Sequence, residues 1–188
     1  MSKLSNMFVA QKLKQSNIAE YLIYMWQIED LIRAAGCDIE RLKSNLISQY
    51  QVSDEDKAKL LQWYEDLIGM MHEEGVVEKG HLQINKNIII SLTDLHLQLL
   101  GSTKVPFYSA AYYKALPYIV ELRNKNKNTD EPELETCFEA LYGAMLLRLQ
   151  KKEITEETGK ALEVIAKFLS LLSNYYEKDK NGELKLDD

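Results

Sequence analysis

Two cysteines, Cys37 and Cys137, are all that 188 residues contain, and no C-x-x-C spacing joins them. A disulfide scaffold and a cysteine metal centre are therefore unsupported, and both thiols are expected to be reduced and structural. Proline occurs three times and glycine eight times, too seldom to break the chain often, which favours long helices. Long hydrophobic runs are missing as well. None approaches the roughly 20 apolar residues of a membrane span. The opening stretch MSKLSNMFVAQKLKQS has neither the continuous apolar segment nor the cleavage site of a signal peptide, so a cytoplasmic chain without a membrane partner is expected. Positive charge is in deficit: 23 Lys and Arg face 29 Asp and Glu, for a net charge of −6. Phosphate-binding surfaces draw on clustered bases, so nucleic acid is not an expected partner. The one basic cluster, Arg123, Lys125 and Lys127, lies in an Asn-rich stretch that reads as a solvated loop.

Catalytic signatures are absent too: no G-x-G-x-x-G, P-loop, G-x-S-x-G or H-E-x-x-H occurs. His72, His81 and His96 do not pair with one another at helical spacing, so no metal or other cofactor is expected, and an enzyme is disfavoured.

What is present is helical periodicity. A hydrophobic fraction of 46% and a charged fraction of 28% suit a globular domain. Asn17, with Glu20 at the capping-box position and Gly36 past the far end, brackets a helix. A shorter helix follows from Asp38 to about Tyr50, and Ser53 with Asp56 starts a third that stops at Gly75. The Ile- and Val-rich segment from Gly75 to Gly101 could pass for a strand. At about 100° per residue, however, Gln83, Asn87, Ser91, Asp94 and Gln98 fall in one polar arc, which only a helix ending at Gly101 produces. Its otherwise apolar circumference places it near the centre of a bundle. Pro106 opens a helix that turns Tyr108, Ala111, Tyr112, Ala115, Ile119 and Leu122 inward, with a kink or break expected near Tyr113 to Leu116 because of Pro117. Thr129 or Asp130 caps a helix from Pro132 to about Lys152, and Thr155 caps a last one to about Glu177. The expectation is an all-α fold: a single bundle of six to seven helices over residues 1–177, with a polar tail at 178–188.

Three places depart from a plain bundle. On the first long helix, Glu29 falls in the middle of the face formed by Ile18, Tyr21, Leu22, Met25, Ile28 and Ile32. A carboxylate there must be paired, because burying it alone is too costly. Arg33, one turn on, is the local partner; the alternatives are a packing network and a ligand contact. His96 sits beside Ile89 and Leu92, and Glu29, Arg33 and His96 together are the candidate binding residues for a small molecule. The last helix carries two apolar stripes, the second through Val164, Phe168, Leu171 and Tyr175. Only the bundle or a second subunit can cover both, so those four are candidate interface residues.

The stretch IAEYLIYMWQIEDLIRAAGCDIE, then NKNIIISLTDLHLQLL and FYSAAYYKALPYI, resembles a family of small helical proteins from Bacteroides-type bacteria that is known as a domain of unknown function. The resemblance covers nearly the whole chain, with Tyr24 to Asp30 as its most distinctive part. It implies a bacterial, cytoplasmic, helical protein and brings no catalytic residues. Two functions stay open: a helical interaction or scaffold protein, as a homodimer or with another protein, and a small-molecule-binding bundle centred on Glu29 and Arg33.

Overall fold

A computed structural model describes residues 5–126 and 132–186, and every described element is helical. Eight α-helices follow one another: α1 (Asn6–Ser16), α2 (Ile18–Ala34), α3 (Ile39–Asn45), α4 (Asp54–Glu73), α5 (Gln83–Gly101), α6 (Pro106–Asn126), α7 (Glu133–Leu149) and α8 (Glu156–Lys180). The expected six to seven is corrected by α1. Its apolar signal is short, with only Met7 and Ala10 buried at i, i+3 spacing, so it forms by packing on α4 and not by propensity.

Local chemistry sets most boundaries. Asp38 caps α3 by accepting the N–H groups of Glu40 and Arg41, Ser53 caps α4 through Asp56, and Thr155 caps α8 through Thr158. Gly36 and Gly75 take positive φ just past α2 and α4, where only glycine is unstrained. The second expected helix ends early: Leu46 leaves helical geometry and the chain continues as a 3-10 turn, Ile47–Gln49. α8 runs to Lys180, about one turn beyond expectation, into the segment read as tail. Residues 129 and 130, expected to cap α7, lie outside the described residues, as does Lys127 of the basic cluster. The helix α6 passes through Pro117 without breaking. Pro117 lies on the exposed side while Ala115 and Ile119 are buried, so packing holds both halves together and solvent reaches the carbonyl that the missing N–H would have bonded. None of these helices is long and apolar enough to cross a membrane.

The chain divides into two compact units. The first holds the residues up to Ser16 together with Glu20–Asn87. In it α3 and α1 pack on α4 around Leu22, Trp26, Ile32, Leu60, Tyr64 and Leu82, all at most 1% exposed. Asn6 joins this unit together: its Oδ1 accepts the hydroxyls of Tyr24 and Tyr50, and its Nδ2 donates to Tyr64. The second unit holds Asn17–Ala19 and Ile88 onward, with α8 packed against α6 and α7. There Ser173 on α8 donates to Asn17 Oδ1 and accepts the N–H of Ala19, which satisfies one free donor at the start of α2.

The polar arc of α5 is exposed as read from the sequence, but the expectation of a helix surrounded by core is not met. Ile84, Ile90 and Leu97 are exposed beside that arc, and the buried side is the narrower one of Ile89, Leu92, Leu95, His96 and Leu99.

Candidate functional site

In the first unit, α2 carries Glu29 into the core with 0% exposure. Three donors meet it. Oε1 accepts the backbone N–H of Leu82 at 3.0 Å and Nδ2 of Asn85 at 2.6 Å, and Oε2 lies 2.6 Å from Nδ1 of His81. The α5 helix begins at Gln83 with no Ser, Thr or Asp in the capping position, which Leu82 occupies. Glu29 therefore acts as the missing cap from a different helix, a carboxylate set against the positive end of α5. Glu74 does the same for the next N–H, that of Gln83, at 2.6 Å.

Arg33 is not the principal partner of Glu29. Its Nη2 stands 3.9 Å from Oε2, whereas its Nη1 reaches Asp30 at 2.8 Å, and the remaining donors turn to the carbonyls of Val76 and Gly80. Arg33 thus anchors the loop between α4 and α5 at two points, and Glu29 anchors the end of that same loop. His81 is held flat against Trp26, with centroids 4.0 Å apart and planes 11° from parallel, and its side chain is 21% exposed. The cluster resembles a carboxylate-oriented imidazole in outline. Its geometry, however, is that of a clamp: every oxygen of Glu29 is taken by a donor from the chain itself. Asn85 went unremarked in the sequence, and His81 was noted only as one of three histidines without a helical pairing. Asn85 had a readable signal, since its wheel position lies inside the buried arc of α5 between Leu92 and Ile89. His81 had none, because it stands in an irregular loop.

His96 belongs to the second unit and has its own partners. Its Nδ1 is 2.6 Å from the Tyr108 hydroxyl, and its ring packs edge-on against Tyr108, Tyr112 and Phe168. Burial holds His96 below the ordinary imidazole value against an opposing pull from Glu133, and burial pushes the Tyr108 hydroxyl far up, so the pair stays uncharged. Tyr112 donates to Glu133 at 2.8 Å. Cys137, also buried, has its thiol pushed up and is chemically quiet.

Of the four candidate interface residues on α8, Phe168 is 1% exposed and already covered by that aromatic cluster, while Val164, Leu171 and Tyr175 are half-buried. The narrow polar strip of Glu163, Lys167, Ser170 and Asn174 faces solvent. An open surface groove of about 450 Å³ lies along the end of α8, lined by Leu171, Tyr175, Lys178 and Glu183 among others. Among the described residues, no group of three or more His, Cys, Asp and Glu side chains could hold a metal ion.

The least explained surface is on α6. Phe107 (83% exposed), Ala110, Tyr113 (63%), Pro117 and Val120 (47%) succeed one another at steps of three, three, four and three. That spacing keeps them on one side of the helix, along about 20 Å of its length. Solvated helix faces are ordinarily polar, and this row departs from that pattern.

Among the described residues, fold and side chains together define an all-helical protein with a polar clamp around Glu29 and an exposed apolar row on α6. Residues 7–183 match the family described as Domain of unknown function (DUF4924), and the chain belongs to that family. No curated protein and no solved structure matches it.

Proposed function

We propose that this chain is a non-enzymatic helical interaction protein whose working surface is the outer face of α6. The observation that carries the reading is the exposed row from Phe107 to Val120, which contains two exposed aromatic rings, those of Phe107 and Tyr113. Aromatic side chains supply most of the contact energy at protein interfaces, and leaving several of them in water without a partner is unfavourable. The clamp at Glu29 supports the same reading, since its acceptors are occupied from within and its effect is to fix the loop between α4 and α5. A bacterial, cytoplasmic setting belongs to this proposal. The test is a photoreactive phenylalanine analogue placed at Tyr113, with Lys167 on the polar strip of α8 as control, irradiated in cells producing the chain. A discrete adduct at position 113 and none at 167 is expected; equal labelling at both positions, or none at 113, would refute the surface.

A second reading has one observation in its favour. Asn85 Oδ1 is buried and has no hydrogen-bond partner among the described residues, so a small ligand with a donor group would find an acceptor beside Glu29 and Arg33. Native mass spectrometry of the purified chain decides it: a stoichiometric adduct that disappears in Asn85→Leu supports the ligand, and bare protein in both samples removes it.

A further inference from the structure

We propose that the partner of α6 is α6 of a second copy, antiparallel to the first and related to it by a two-fold axis at Pro117. This rests on the reading of the α6 face as a contact surface and adds the identity of what covers it. A two-fold pairing requires a self-complementary surface, in which residue i meets residue j and j meets i. The central part of the α6 row, Tyr113, Pro117 and Val120, has that property. With the axis at Pro117, Tyr113 of one copy lies opposite Val120 of the other, and each proline faces its own equivalent. Pro117 presents only a compact ring at the centre, which allows the two helices to approach closely there. The charges follow the same symmetry. Lys114 and Glu121 are both exposed and flank Tyr113, Pro117 and Val120 on one side, three residues before and four after the axis. Rotation about an axis perpendicular to the helices keeps that side in place and reverses the chain direction. Lys114 therefore meets Glu121 of the second copy, and the contact forms twice. A parallel two-fold would instead carry that side to the opposite flank, and Lys114 and Glu121 would not meet across the seam. Each group has a neighbour in its own chain: Lys125 bonds Glu121, and Lys114 lies in the field of Glu163. A carboxylate has acceptor sites to spare for a second cation.

Sedimentation equilibrium on the full chain tests this. The unmodified protein is expected to form a species of twice the 21.7 kDa of one chain. Tyr113→Glu combined with Val120→Glu is expected to give a folded monomer of unchanged helicity, because both side chains are exposed in the single chain. Lys114→Glu alone and Glu121→Lys alone should each weaken the dimer about fivefold to tenfold, and the two together should restore it, since the swapped charges meet again. A monomer at several hundred micromolar overturns the self-pairing, as does a dimer indifferent to all of these changes. If the chain is monomeric and the photoreactive group at position 113 captures a different protein, self-pairing fails while the interaction reading stands. If neither a dimer nor an adduct forms, both fail.

Discussion

Glu29, Asn6 and His96 show how single polar side chains in this protein are used to close its interior. Glu29 accepts three donors and so holds α2 to the first turn of α5. Glu29→Gln keeps the shape but turns an NH2 group toward donors, and it is expected to cost about 2 to 4 kcal/mol, read from urea unfolding. Asn6 binds three tyrosine hydroxyls, two as acceptor and one as donor, and Asn6→Ala should cost a similar amount, about 2 to 3 kcal/mol. These bonds account for three of the eleven tyrosines, whose abundance the sequence by itself left without meaning; burial and the neighbouring Tyr50 push the Tyr24 hydroxyl up to about 12, so it serves as a donor and not as a reactive group. His96 has a folded-state value lowered from 6.5, chiefly by burial. As pH falls below 6.5 the unfolded chain takes up a proton that the folded chain refuses, so the contribution of His96 to stability is full above that pH and lost below it. The unmodified protein should therefore lose more stability between neutral and mildly acidic pH than His96→Gln does, as unfolding midpoints across that range would show.

Among the elements, those governed by local rules could be read directly from the residues. The caps at Ser53 and Thr155, the terminus of α5 at Gly101 and the polar strip of α8 all depend on neighbours within one or two turns. What could not be read depends on distant partners. The groups that satisfy Glu29 are 52 to 56 residues away in sequence, so the nearby Arg33 looked like the partner although the fold gives most of its donors to Asp30, Val76 and Gly80. The α1 helix was missed for a related reason, because its formation relies on α4. Pro117 shows a local rule limited by packing: it does not break α6, and Ala115 and Ile119 are fully buried on either side of it. Replacing Pro117 by Ala restores one N–H to the helix, and the expected result is a gain of about 1 kcal/mol in the monomer, measurable by thermal unfolding of the Tyr113→Glu, Val120→Glu background.

For the molecule as a whole, the inward stripe of α6 was correctly legible, and the row on its outer side is the complement of that stripe. Tyr108, Tyr112, Ala115 and Ile119 are buried while Phe107, Tyr113 and Val120 are exposed, so both sides of one helix are apolar and only one is covered by the described residues. On α8, Phe168 finds its partners inside the second unit, while Val164, Leu171 and Tyr175 stay half-buried. Covering the outer side of α6 is what the account assigns to a second copy. The most direct measurement is cross-linking of the purified chain by a short bis-maleimide in a Cys37→Ser background, with a single cysteine placed at 110, 113, 117, 120 or, as control, 167. A two-fold axis at Pro117 predicts fastest dimer formation from position 117, a fall toward either end of α6 and none from 167. Dimers formed most readily from 167, or from no position on α6, would contradict it.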